Sequence, residues 1–167
     1  MGHHEHENQE KASHSIAVVT FTDTRDKNTD KSGALIIQLL EEAGHDLADY
    51  KIVKEDQGLM KNCFEQLLER SDVDAVVTNG GTGLSKRDNT IEVVKPFFEK
   101  ELEGFGEIFR QISYQQIGAA AMLSRATAGI NGEKAVFCLP GSSKAVKLAM
   151  QRIILPQLSH LLWEARR

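Results

Sequence analysis

Two patterns of apolar positions alternate along the chain. Ile16-Ala17-Val18-Val19-Thr20-Phe21, Ala75-Val76-Val77-Thr78 and Ala135-Val136-Phe137-Cys138-Leu139 are short runs without a polar alternation. Runs of that kind predict strands covered on both faces. Tyr50-Lys51-Ile52-Val53 is a weaker fourth candidate. Between the runs lie stripes at helical spacing: Leu35, Ile36, Leu39, Leu40 and Ala43, stopped at Gly44, and then Leu59, Met60, Cys63, Phe64, Leu67 and Leu68. Strand alternating with helix predicts right-handed βαβ units, hence a three-layer α/β/α fold around a mostly parallel sheet.

The second half departs from this rhythm. A helix is predicted from about Thr90 and broken near Pro96, followed by a pattern through Ile108, Phe109 and Ile112. Asn131-Gly132 predicts a two-residue hairpin with both φ angles positive, and so one antiparallel pair in the sheet. From Ser143 to Trp163 a helix is expected, kinked at Pro156, with Val146, Ile153, Leu158 and Leu162 available for packing.

A chain of 167 residues, 41% hydrophobic, closes one core and does not divide comfortably into two. The expectation is a polar, flexible tail over residues 1–14 and a single domain over 15–167. The tail carries four of the six histidines, His3, His4, His6 and His14, without a periodicity that would fix metal geometry. His45 and His160 adjoin helix ends and read as capping or surface groups. With 24 acidic against 20 basic residues and no basic run, nucleic acid and anionic membrane surfaces are disfavoured as partners. No apolar stretch reaches the ~18 residues of a membrane span and no signal peptide is read, so the expected location is the cytoplasm. Cys63 and Cys138 sit inside apolar patterns and read as buried thiols of a reducing compartment.

In an open α/β sheet, ligands bind beyond the carboxyl ends of the strands. Three polar loops follow predicted strands: Thr22-Asp23-Thr24-Arg25-Asp26, Asn79-Gly80-Gly81-Thr82-Gly83-Leu84-Ser85-Lys86-Arg87-Asp88, and Pro140-Gly141-Ser142-Ser143. Three glycines in four residues allow several backbone N–H groups to point at one anion. The loop lacks the spacing of a Walker motif, and Lys86 stands where a dinucleotide fingerprint has its third glycine. Gly-Gly also marks ordinary turns, so the loop alone leaves both readings open. Asp88 likewise has two: position alone favours a helix N-cap, and the adjacent loop suggests a carboxylate holding Mg²⁺ between nucleotide phosphates. Asn89 with Glu92 is the capping alternative.

The string Val76-Val77-Thr78-Asn79-Gly80-Gly81-Thr82-Gly83 with Arg87-Asp88 resembles the molybdenum cofactor biosynthesis family of MoaB and MogA, which includes the gephyrin-type G domains. Thr20 to Arg25, Val53-Lys54-Glu55-Asp56, Glu103-Gly104-Phe105-Gly106-Glu107, Leu123-Ser124-Arg125-Ala126 and Leu139-Pro140-Gly141-Ser142 resemble family segments in order, nearest to the MoaB branch. The resemblance implies a molybdopterin-binding α/β/α fold. For MogA-like members it implies Mg²⁺-dependent adenylylation of molybdopterin by ATP. The MoaB-type alternative is a carrier or scaffold without catalysis. Asp88 matches the family's essential aspartate and takes a catalytic and metal-binding role by carry-over. Glu55 falls where the adenylylating branch has a second aspartate, and Asn79 is a lesser departure. Thr22, Asp23, Thr78, Gly80, Gly81, Thr82, Gly83, Pro140, Gly141 and Ser142 form the candidate ligand-binding set. Arg25, Lys86 and Arg87 are candidate phosphate partners, and Gly104-Phe105-Gly106 and Ser124-Arg125 are candidates for the pocket or a subunit contact. The family also implies a homotrimer or homohexamer.

Overall fold

The computed structural model describes residues 12–167. Chain order is β1 (Ser15–Phe21), α1 (Lys31–Glu42), β2 (Asp46–Val53), α2 (Gln57–Glu69), β3 (Ala75–Asn79), α3 (Thr90–Val94), β4 (Lys100–Glu101), α4 (Glu103–Ile117), β5 (Thr127–Asn131), β6 (Lys134–Leu139), α5 (Ser143–Ala149) and α6 (Leu155–Ala165). One six-stranded sheet runs β2-β1-β3-β6-β5-β4. The three uninterrupted apolar runs are β1, β3 and β6, adjacent and parallel at its centre.

Each central strand feeds two cores, which is why none alternates with polar residues. Ile16, Val18, Val77, Phe137 and Leu139 face α1, α4, α5 and α6, whereas Ala17, Val19, Phe21, Val76 and Cys138 face the α2 and α3 layer. Helix ends follow their sequence signals. Asp30 caps α1 by accepting the Gly33 N–H, and Asp56 caps α2 by accepting that of Leu59. Gly44, at φ 84°, ends α1: its N–H reaches Glu41 O, and the His45 N–H reaches Leu40 O, a Schellman arrangement. The α2 stripe is narrower than the sequence suggests, because Met60, Cys63, Phe64 and Leu67 are buried while Leu59 is exposed.

The sheet's far edge corrects the hairpin. Asn131 pairs with Lys134, so the two-residue loop is Gly132-Glu133, and Gly132 alone has positive φ, at 55°. That is the turn class with glycine at the first central position rather than the one needing two positive φ angles. Strand β5 is antiparallel to β6 and also to the two-residue β4, which is too short to leave a sequence pattern. In the C-terminal helix the break precedes Pro156. Residues Met150–Ile154 form a π-helical turn, and the proline sits in the first turn of α6. Widening upstream avoids the clash of the proline ring with the carbonyl four residues back.

The expected tail boundary also moves. His14 is 6% exposed, its Nε2 lies 2.9 Å from Ser159 Oγ, and its ring stacks on His45. It therefore belongs to the folded body, whereas His3, His4 and His6 lie outside the described residues. Both cysteines are buried and free, and burial pushes the Cys138 thiol up to about 12. Among the described residues no helix is long and apolar enough to cross a membrane.

Candidate anion site at the carboxyl edge of the sheet

After β1 the chain builds outward to β2 and then returns to β3 on β1's other side. That reversal opens a crevice between the carboxyl ends of β1 and β3, the usual ligand position in such sheets. It is occupied here by a cavity of about 410 Å³, within the range of small-ligand pockets. Thr22 and Arg25 after β1, Glu55 after β2, Gly80 to Gly83 and Asp88 after β3, and Pro140 to Ser142 after β6 all line it. Loops far apart in sequence thus meet at one place.

The glycine loop has a conformation that needs its glycines. Gly80 and Gly81 have φ of 91° and 66°. A Cβ on Gly80 would lie 2.3 Å from the Phe21 carbonyl oxygen, and one on Gly81 2.4 Å from Thr90 Oγ1. Thr90, at the start of α3, fixes the loop from beneath: its hydroxyl donates to Gly80 O at 2.8 Å and its N–H to Gly81 O at 3.0 Å. The Gly80 N–H is spent on Leu139 O at 3.1 Å, but those of Gly81, Thr82 and Gly83 meet no acceptor among the described residues. With the carbonyls turned inward, three consecutive donors remain for an anion.

Asp88 is not the cap that position alone suggested. The residue preceding α3 is Asn89, which makes no side-chain cap bond and donates instead to Lys86 O and Arg87 O. The Asp88 carboxylate turns back to accept the Ser85 N–H at 3.0 Å, and a Cβ on Gly83 would lie 2.7 Å from it. Local closure of the 85–88 turn outcompetes capping because both bonds of that turn, including Asp88 N–H to Ser85 O at 3.1 Å, form at once. Glu55 approaches from the other side, with Oε1 3.5 Å from where a Gly81 Cβ would be. Its carboxyl is held above the usual range, first by burial and then by the charges of Asp23 and Asp88, against the opposing Arg87.

Two expected ligand residues stand off the cavity. Asp23 faces its neighbours instead, accepting the Glu55 N–H at 3.1 Å and pairing with Arg87 at 2.5 Å. Thr78 is fully buried, in register with Cys138, because one residue before the strand end the pleat directs its side chain into the helical layer. Ser142 caps α5 through the Ala145 N–H and lines the cavity as well. Of the cations, Arg25 reaches Gly141 O at 3.4 Å, Arg87 is committed to Asp23, and Lys86 is exposed. Arg125 lines the cavity, donates to Gly83 O at 2.9 Å and pairs with Glu92. Phe105 goes into the core, and Gly104 is exposed at the rim of the groove between α4 and α6, away from the cavity. Thr24 and Leu123 are lining residues outside the candidate set; the polar loop after β1 is the signal for the first, and the segment Leu123-Ser124-Arg125-Ala126 for the second.

Unpartnered amides at the switch point of an open sheet, flanked by carboxylates, form a candidate anion site in an α/β domain. The family profile described as a probable molybdopterin binding domain matches residues 14–160, and the chain belongs to that family. It is 51% identical over 164 residues to molybdenum cofactor biosynthesis protein B of Bacillus anthracis, covering 98% of this chain and 97% of that one. A crystal structure of a molybdenum cofactor biosynthesis protein B superposes with a TM-score of 0.91 at 50% identity, over 93% of this chain and 98% of the other. The tungsten cofactor synthesizing protein MoaB of Pyrococcus furiosus superposes with a TM-score of 0.84 at 42% identity, with the same coverage.

Proposed function

We propose that this protein acts in molybdenum cofactor biosynthesis, binding molybdopterin in the cavity and transferring to it an adenylyl group from Mg·ATP. One observation carries the reading: three free amides, of Gly81, Thr82 and Gly83, lie between the carboxylates of Glu55 and Asp88. Family membership and the names of the relatives supply the pterin. In the reaction, a terminal phosphate oxygen of molybdopterin attacks the α-phosphorus of ATP, and the bond to pyrophosphate breaks. Such transfers depend on alignment and charge neutralisation. The loop amides orient a phosphate, and Arg25 balances charge from the side of Gly141.

The residues present suit a Mg²⁺ ion. Burial raises the Glu55 carboxyl first and the charges of Asp23 and Asp88 raise it further, so the carboxylates of Glu55 and Asp88 share one region of negative charge. Mg²⁺ characteristically takes one or two carboxylates together with substrate phosphates, and Asp88 with Glu55 would hold it. Bound there, the ion supplies electrostatic stabilisation of phosphate charge. Purified protein given molybdopterin and Mg·ATP is expected to release pyrophosphate with adenylylated pterin as product. Intact pterin binding without turnover would reject the enzymatic reading.

A second reading rests on Glu55 itself, since the adenylylating branch of the family has aspartate there. Under it, the chain is a molybdopterin carrier. Glu55→Asp discriminates: the enzymatic reading expects equal or lower turnover, because the shorter side chain withdraws from Gly81 by roughly one carbon–carbon bond, ~1.5 Å. A gain of activity from an inactive parent would establish the carrier.

Assembly is part of the same proposal. Ile108, Tyr114 and Ile117 on α4 and Met122 just beyond it are exposed, and an apolar groove of about 320 Å³ runs between α4 and α6. Apolar exposure of that kind suits burial between copies. A homotrimer or homohexamer is expected by sedimentation equilibrium, and a monomer at micromolar concentration would contradict it.

A further inference from the structure

Beneath the glycine loop lies a polar network that the proposed reaction does not use. Asp30 is 2% exposed, yet its carboxylate accepts three hydrogen bonds. Oδ1 takes the Gly33 N–H at 3.0 Å, while Oδ2 takes the Thr20 hydroxyl at 2.5 Å and the Tyr50 hydroxyl at 2.7 Å. Thr20 spends its only proton on Asp30 and so accepts from Asn79, whose Nδ2 lies 2.8 Å away. The chain Tyr50, Asp30, Thr20, Asn79 thus links the middle of β2, the cap of α1 and the carboxyl ends of β1 and β3, and stops at the residue before Gly80. A second branch leaves from Oδ1, where Arg25 Nη1 stands 4.0 Å away and also donates to Gly141 O at 3.4 Å.

The network is built to one fit. A Cβ on Gly33 would lie 2.2 Å from Asp30 Oδ2 and 2.9 Å from Thr20 Oγ1, so only glycine admits the carboxylate there. A buried carboxylate is costly unless saturated with donors, and one whose donors come from α1, β1 and β2 fixes their relative positions. The two branches end on two loops that meet at the cavity wall: Gly80 N–H is bonded to Leu139 O, and a Gly141 Cβ would come within 3.3 Å of Gly80 Cα.

We propose that Asp30 is a positioning residue, acting through Thr20 and Asn79 on the glycine loop and through Arg25 on the Gly141 turn, so that both present their donors at the separation one ligand requires. This rests on the reading that the cavity takes molybdopterin, but its first test does not. Thr20→Val keeps the side-chain shape and removes the hydroxyl that links Asp30 to Asn79, and Tyr50→Phe removes only the outer donor. Amide hydrogen exchange of Gly80 and Thr90, whose N–H groups tie the loop to Leu139 O and Gly81 O, is expected to rise on the order of tenfold in Thr20→Val, about the loss of one buried hydrogen bond. Exchange in α2 and α6 should stay unchanged, Tyr50→Phe should give a smaller rise, and Thr20→Ser, which restores the hydroxyl, should return the native pattern.

Unchanged loop exchange in Thr20→Val, or an equal rise throughout the protein, would overturn the proposal. Molybdopterin affinity, measured by equilibrium dialysis, separates it from the functional reading. If the parent binds, Thr20→Val should bind on the order of tenfold more weakly with rescue by serine, and undiminished binding would also defeat the proposal. If the parent does not bind, the functional reading fails while loop exchange still decides the role of Asp30.

Discussion

Asp88→Asn is expected to lower adenylyl transfer roughly 10²–10³-fold, the usual cost of removing one preorganised electrostatic group from a transition state. Asparagine preserves the side-chain length and an oxygen for the Ser85 N–H, so the 85–88 turn should persist and the melting temperature should move little. Pterin binding should survive, because the amides of Gly81 to Gly83 are untouched. The measurement is pyrophosphate release per molybdopterin bound, with affinity determined in parallel. Unaltered turnover would show that the carboxylate does no chemistry, and the enzymatic reading would lose its metal ligand.

The same substitution has a titration signature. Glu55 is raised by burial, by Asp23 and by Asp88, so removing the Asp88 charge leaves the first two causes and brings Glu55 down toward its ordinary range. The sign is fixed: in the parent, the ionised form of Glu55 is lost as pH falls through a value above the usual glutamate range. In Asp88→Asn that loss occurs at lower pH. Carbon-13 NMR of the Glu55 carboxyl reads the shift directly, and an upward or absent displacement would mean the two carboxylates do not share one field.

What the sequence made legible followed from how local each signal is. The apolar runs of β1, β3 and β6 were readable because both sheet faces are covered, and the stop at Gly44 because a Schellman end needs a left-handed residue. The loop Gly80 to Gly83 was readable as exposed backbone, although which amides stay unpartnered depends on Thr90 and Leu139, and no local pattern names them. Position alone favours a cap at Asp88, and the competing acceptor geometry, a closed turn with Ser85, is set by the loop's path, which no local pattern shows. Thr78 and Asp23 went into the candidate set by adjacency. Strand parity turned the first inward, and Arg87 together with the Glu55 amide claimed the second. No local pattern marks Asp30. Its burial arises only when Thr20, Tyr50 and Gly33 converge from separate elements.

The largest effect on the folded protein is expected at Gly80. Gly80→Ala places a methyl 2.3 Å from the Phe21 carbonyl oxygen while holding φ at 91°. Neither side can yield cheaply: the oxygen belongs to the central strand β1, and Gly80 N–H is bonded to Leu139 on the other neighbour. Strain of ~1–3 kcal/mol from the backbone angle adds to the overlap, for a loss of about 3 kcal/mol or more. In a chain of this size that corresponds to a melting temperature lower by roughly 6–12 °C. Gly132→Ala is the control, since its φ of 55° is also positive but nothing lies within 4 Å of the added carbon, so only the angular strain of about 1 kcal/mol is expected. Calorimetry of the two variants separates overlap from strain, and molybdopterin binding should fail in Gly80→Ala alone. Equal melting temperatures would mean that β1 and the loop are not packed as tightly as the Gly80 geometry requires, and the anion site built on that contact would go with it.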